Sequence, residues 1–323
     1  MPVAAPPVRP VTLDEIRAAR ERIRGVAFRT PLVKLRHDAQ KPEVWLKLEN
    51  LQPINAFKIR GAANAVAMLS PEERRRGVWT ISAGNAGQGV AYAAREAGIP
   101  ATVLAIDPAM ETKIERMRKL GARLVRAPFD QCWKAMEERE YAGIEGTFVH
   151  PFDDHNFVAG NATLGLEILE DLPTVKTVIT AIGGGGLIAG VASAVRQLAP
   201  QVKIYGAEPD TAAPGALSFE KGSPQVFEKW QASFVDGAGG KSIFPRMWER
   251  IHNIVDGSIV VTLDDVRRAM KLVADKTRVI AEGAGALAVA AAMSGKAGDG
   301  PIVAVISGGN IDLKKFAELI TAE

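Results

Sequence analysis

The chain has 323 residues, about twice a typical domain of ~150, and is 47% hydrophobic and 24% charged, enough apolar material for packed cores. Its 40 basic and 37 acidic side chains leave a formal charge of +3, with no surplus advertising nucleic acid or an anionic membrane surface as a partner. The single cysteine, Cys132, excludes an intrachain disulfide and a cysteine-cluster metal site, and it reads as a small buried apolar residue in a reducing compartment.

Met1 to Pro10 holds four prolines and no apolar run, which predicts a loose arm rather than a signal peptide or a spanning helix. No stretch reaches the ~18 uninterrupted apolar residues that a membrane span requires, so a cytoplasmic protein is expected. Thr12 caps a helix that begins Leu13-Asp14-Glu15, with acids where the helix dipole favours them. Ser70-Pro71 starts a short helix whose charge run, Glu72 to Arg76, is a solvated last turn ending at Gly77.

Short apolar runs then alternate with helical patterns. Strands are predicted at Val78 to Ile81, Ala101 to Ala105, Arg123 to Val125 and Thr147 to Val149. Further strands are predicted at Val175 to Ile182, Lys203 to Ala207 and Ile302 to Ile306. Helices are predicted at Gly89 to Gly98, Glu111 to Leu120, Gln131 to Tyr141, Val158 to Leu169, Leu187 to Leu198, Asp264 to Ala274 and Ala284 to Met293. The alternation implies right-handed β-α-β units and parallel sheets, an α/β fold. The four histidines (His37, His150, His155, His252) show no paired spacing, so no metal site is expected.

The 31 glycines, beside 6% aromatics, are the compositional oddity. Four of them, Gly183 to Gly186, join the strand ending at Ile182 to the helix starting at Leu187. Four consecutive glycines carry a large entropic cost on folding, so something requires them; backbone N–H groups approaching an anion at a helix start is the obvious reason. Which anion stays open at this point. Gly184-x-Gly186-x-x-Ala189, with Glu208 about twenty residues on, also fits a dinucleotide fingerprint and a nicotinamide-dependent oxidoreductase. Gly240-Lys241-Ser242 ends like a nucleotide P-loop, but Val235 occupies its leading position and the motif fails.

Two segments have no role in a dinucleotide enzyme. One is Lys58, between a Pro53-Ile54-Asn55 turn and a helix; the other is the loop Ser82-Ala83-Gly84-Asn85-Ala86 after the Val78 strand. Taken together, Glu49-x-x-Gln52-x-x-x-Ala56-Phe57-Lys58-x-Arg60-Gly61-Ala62, Ser82-Ala83-Gly84-Asn85-x-x-Gln88, Gly183 to Gly190 and Ser307-Gly308-Gly309-Asn310 occur in one order and spacing. The chain resembles the fold-type II, pyridoxal-phosphate-dependent serine/threonine dehydratase family, which includes threonine ammonia-lyases and serine racemases, from about Leu13 to the C-terminus.

That resemblance implies two α/β domains with pyridoxal 5′-phosphate between them: a small inserted domain over 52–149 and a larger one from 1–51 plus 150–323. It implies Lys58 as the Schiff-base lysine and Cα base, with Phe57 against the pyridine ring. Gly183, Gly184, Gly185 and Gly186, with the N–H of Leu187, would hold the phosphate, Asn85 the ring 3′-hydroxyl and Ser307 the pyridine nitrogen. Gly237 and Glu282 match positions near the cofactor. Ser82, Ala83, Gly84, Asn85 and Ala86 would line the substrate side, the first and third gripping its carboxylate.

The implied reaction converts a β-hydroxy-α-amino acid, such as threonine, serine or a bulkier β-substituted serine, to a 2-oxo acid and ammonia. A racemase or a β-replacement synthase is the alternative within the family. Three departures qualify the match. Ala86 stands where the family usually has histidine, which predicts a roomier pocket. Ala83 stands where racemases carry a proton-donating serine. Ala213 and Pro214 replace an acidic pair of the family's cation site, leaving Glu208 as a residual ligand, a ribose acid or simply a strand end. A homodimer is expected, without the regulatory domain of longer threonine dehydratases.

Overall fold

The computed structural model describes residues 5–37, 42–107 and 111–322. Two sheets organise the chain. The larger is built from β1 (Leu32–Lys34), β2 (Val44–Lys47), β7 (Thr177–Ala181), β8 (Lys203–Pro209), β9 (Gly257–Val261) and β10 (Ile302–Val305), in the order β1-β2-β10-β7-β8-β9. The smaller is built from β3 (Val78–Ile81), β4 (Ala101–Asp107), β5 (Arg123–Pro128) and β6 (Thr147–Phe148), in the order β5-β4-β3-β6. Every pairing is parallel except β1 with β2. That hairpin was not anticipated, since neither strand alternates with a helix.

The central strands are buried on both faces, and their side chains alternate between two cores. Along β10, Ile302 and Ala304 point into one core while Val303 and Val305 point into the other. The first core includes α12 (Gly283–Met293), a helix apolar all round and buried over nearly its whole length. The second is formed against α7 (His155–Asp171) and α8 (Gly186–Leu198).

Local signals read from the sequence hold where they involve caps. α1 (Leu13–Arg22) opens on a reciprocal Thr12–Glu15 capping box, and α3 (Pro71–Arg76) on a Ser70–Glu73 box. Gly77 ends α3 at φ +80°, a conformation that favours glycine. The expected loose arm differs from what is seen. Residues 1–4 lie outside the described residues, but beyond them the arm is tied down by arginines of α10 (Pro245–Ile251). Arg246 donates to the Pro6 carbonyl at 2.8 Å and Arg250 to that of Arg9 at 3.5 Å. An arginine pair 240 residues downstream left no mark on the arm's own composition.

In a parallel sheet the loops at the carboxyl ends of the strands share one side. Gly183 follows β7 and Ser307 follows β10, so these loops share that side of the larger sheet, while Ser82 follows β3 at the corresponding end of the smaller one. β10 and β7 are neighbours, which puts the Ser307 and Gly183 loops side by side.

Candidate active site

Lys58 is the first residue of α2 (Lys58–Ala67), and its position is fixed by the large sheet. Asn55 adopts φ +55°, which turns the chain so that Ala56 bridges to Gly308. The Phe57 N–H donates to the Ser307 carbonyl at 3.0 Å, and the Gly309 N–H donates to that of Asn55 at 2.9 Å. α4 (Asn85–Glu96) passes close by; a Cβ at Gly89 would sit 3.2 Å from the Lys58 carbonyl oxygen.

The rest of α2 is held by a buried ionic lattice that explains the Glu49, Gln52 and Arg60 of the sequence motif. The Arg60 guanidinium, 1% exposed, donates to Glu49 at 2.7 Å and to Glu167 at 2.7 Å. Lys47 pairs with Glu167 at 2.8 Å and Asp171 at 3.1 Å. Gln52 and Thr30 donate to Glu49. Buried carboxylates are tolerated here because their lone pairs meet donors.

The Lys58 amine is partly buried and donates to the Pro151 carbonyl at 2.6 Å. The rings of Phe57 and Phe157 lie 5.2 and 5.4 Å from it. Burial pushes its pKa down from 10.5 to about 8, since desolvation penalises the charged form.

The glycine loop opens α8. Its early amides are the orphan donors of a helix start; the first bond into the helix runs from Ala189 N–H to the Gly185 carbonyl at 3.0 Å. Packing adds a second need for glycine beside the expected approach to an anion. A Cβ at Gly183 would sit 2.7 Å from the Gly237 carbonyl, and one at Gly184 would collide with the Phe152 ring. At Gly186 it would lie 3.0 Å from the Phe152 backbone. Gly185 has φ +88°. Two other segments of the chain, at Gly237 and Phe152, thus pack against the loop and leave no room for a Cβ at Gly183, Gly184 or Gly186.

Asn85 heads α4 and sits in a chain of amides and carboxylates. Its amide donates to Glu282 at 2.7 Å, and its carbonyl accepts from Asn310 at 2.8 Å. Asn310 in turn accepts from Arg116 at 2.7 Å. The Ser307 hydroxyl, 5% exposed, makes one long bond to the Ala284 carbonyl at 3.3 Å. Ser82 accepts the Gly84 N–H at 3.0 Å, while Gly84 itself faces open space.

These residues line one cavity of about 440 Å³. Phe57, Lys58, Ser82, Ala83, Gly84, Asn85, Ala86, Gly183 to Gly186, Leu187, Gly237, Glu282 and Ser307 all border it, so the residues that the resemblance assigns to cofactor and substrate are brought to one place. Sequence reasoning missed Trp133, Met136, Phe152 and Phe244 on the same cavity. No spacing signal marks them, because they come from α6 (Phe129–Glu138), the segment after β6 and the segment before α10, which meet only in the folded chain.

Glu208 lies away from the cavity. It ends β8, and its carboxylate accepts the N–H groups of Gly215 and Ala216 at 2.8 and 2.7 Å and the Ser258 hydroxyl at 2.6 Å. It caps α9 (Pro214–Lys221), and burial raises its pKa to about 7. Cys132 is buried and free, as expected.

Residues 23–308 match the family model described as pyridoxal-phosphate dependent enzyme. The L-threonine ammonia-lyase of Thermotoga maritima is 39% identical over 316 residues, 96% of this chain and 78% of that protein. The processed form of threonine deaminase isoform 2 from Solanum lycopersicum superposes with a TM-score of 0.83 at 30% identity, covering 99% of this chain and 98% of its own. Maize serine racemase superposes with a TM-score of 0.84 at 30% identity, covering 96% and 97%.

Proposed function

Since the chain belongs to the pyridoxal-phosphate dependent enzyme family, we propose that it is an ammonia-lyase that dehydrates a β-hydroxy-α-amino acid to a 2-oxo acid and ammonia. The observation that carries this reading is the shared cavity: a desolvated lysine amine and a glycine-lined helix start border the same 440 Å³ space. The likeness to a threonine ammonia-lyase supports threonine as a first substrate to try.

The donor set suits the cofactor. An amine with a pKa of about 8 is a competent nucleophile for an aldehyde near neutral pH. Orphan amides at the start of α8 suit a phosphate. A lone serine hydroxyl, Ser307, suits a neutral ring nitrogen rather than a protonated one. When bound, pyridoxal phosphate supplies an electron sink for the charge that develops at Cα.

The chain's own side chains supply the rest. Lys58 would hold the cofactor aldehyde, and its amine, when free, would be the base that takes the Cα proton. Phe57 would pack beside the ring, and Gly183 to Leu187 would hold the phosphate through backbone N–H groups. Asn85, braced by Glu282 and Asn310, presents an amide to the ring hydroxyl. Gly237 acts through the loop, its carbonyl fixing where Gly183 can lie. Ser82, Gly84 and nearby amides grip the substrate carboxylate, with Ala83 and Ala86 beside them. Ala83 has no proton to give to the opposite face, which favours dehydration over racemisation.

The cavity lies between a unit spanning 52–149 and one formed from 1–51 plus 150–323 in this reading. The free, buried cysteine supports a reducing cytoplasm, and the family resemblance supports a homodimer. The deciding experiment incubates the purified protein with cofactor, records its visible absorbance, and measures ammonia and oxo acid from threonine and serine. Absence of the absorbance band and of ammonia from both sinks the proposal.

A further inference from the structure

The charged residues on the cavity, Lys58, Asp236, Lys241 and Glu282, come from α2 and from the larger sheet's loops. The wall given by β4, α4 and α6 (Phe129–Glu138) carries none. Ile106, Trp133 and Met136 stand on it, with Phe152 and Phe244 packed from the other side. Trp133 meets Phe244 edge to face at 4.9 Å, and Phe244 meets Phe152 likewise at 5.2 Å. Ala86, 4% exposed, contributes only a methyl group where the wall reaches the 82–86 loop. Aromatic rings set edge to face offer a slot whose natural occupant is another ring. A methyl substituent would leave most of that surface without partner atoms.

Resting on the dehydratase reading above, we infer that the preferred substrate is a β-aryl-β-hydroxy-α-amino acid, its ring seated against Trp133, Met136 and Phe244. The carboxylate and amine ends of such a substrate are shared with threonine, so discrimination comes from the apolar wall alone. Lys241, the cation besides Lys58 among the described cavity residues, has its ammonium 4.4 Å from the centroid of the Trp230 ring. The wall therefore favours an aromatic substituent over an acidic one.

The test compares kcat/KM of the holoenzyme for β-phenylserine, threonine and β-hydroxyaspartate by ammonia release. A preference of about tenfold or more for β-phenylserine over both is expected. Preference for threonine or for β-hydroxyaspartate overturns the inference. Trp133→Ala should lower the phenylserine-to-threonine ratio about tenfold and Trp133→Phe should keep most of it; an unchanged ratio in Trp133→Ala removes Trp133 from the slot. A separate reading does not depend on turnover: the Kd of the holoenzyme for phenylalanine against alanine, which lack the β-hydroxyl, from the shift in cofactor absorbance. Tighter phenylalanine binding supports the slot even if no substrate releases ammonia, in which case only the dehydratase reading falls. Equal or weaker binding of phenylalanine overturns the slot itself.

Discussion

The Lys58 amine lies 2.6 Å from the carbonyl oxygen of Pro151, so the residue proposed to react is held by the segment that also supports the glycine loop. Phe152, the next residue, packs against Gly184 and Gly186. His150 accepts the N–H groups of Phe152 and Asp153 at 3.3 and 2.9 Å, and burial keeps its pKa well below the usual value, so the ring stays a neutral acceptor. Asp153 is gripped by Arg139, Arg246 and Arg250. One short crossing of the chain thereby ties the lysine to the geometry of the glycine loop.

Lys58→Ala removes the only side chain proposed to bind the cofactor covalently. The variant is expected to lose the visible absorbance of the bound aldehyde and to release ammonia at least about a thousandfold more slowly. Spectra and ammonia assays on the same preparation check both. Full activity in this variant sinks the assignment of Lys58.

The pH dependence of cofactor capture follows from the same amine. Its pKa of about 8 means that the reactive free base falls about tenfold per pH unit below that value. Capture by the cofactor-free protein should rise with pH and level off above about 8, as stopped-flow absorbance would record. For folding, the unfolded amine keeps its ordinary 10.5, above the folded value. Stability of the cofactor-free protein is therefore lost as pH falls from 10.5 towards 8 and is flat below. Lys58→Met should remove that dependence in a pH series of urea midpoints.

Gly184→Ala places a methyl group into the Phe152 ring. Phe152 must shift, and the loop amides shift with it, so cofactor affinity should weaken by about tenfold or more while the fold survives. Cofactor titration with a parallel thermal melt distinguishes the two. Gly98→Ala is the control for the methyl group: it has φ +67° and no atom within 4 Å, so it should affect stability and leave cofactor affinity alone.

Arg60→Met leaves Glu49 and Glu167 buried without their shared cation. A loss of about 3–5 kcal/mol in unfolding free energy is expected, because an uncompensated buried charge is the costly outcome. Urea denaturation measures it. A change below about 1 kcal/mol would mean that Lys47 and the neighbouring hydroxyl and amide suffice.

Much of this molecule is legible in its sequence, for reasons that differ from residue to residue. The Thr12–Glu15 and Ser70–Glu73 boxes are complete within four residues, so local chemistry specifies them. β7 and β10 show as continuous apolar runs because both of their faces are buried. Lys58, Asn85, Gly183 to Gly186 and Ser307 were legible as candidates because motifs place them next to strand ends and helix starts. β1 and β2 were not: each ends on a lysine, so neither reads as a continuous apolar run.

The sequence by itself determined the α/β class, the family and the residues that gather on the cavity, because each depends on local pattern or on motif order. Only the tertiary structure decided what packs against the glycine loop, what Glu208 contacts and which further side chains wall the cavity. Gly184 answers to Phe152, Glu208 to Ser258 and the start of α9, and Trp133 to Phe244. Each of these is a contact between segments far apart in the chain or set by a turn, and such contacts arise only when the two sheets and their loops pack together.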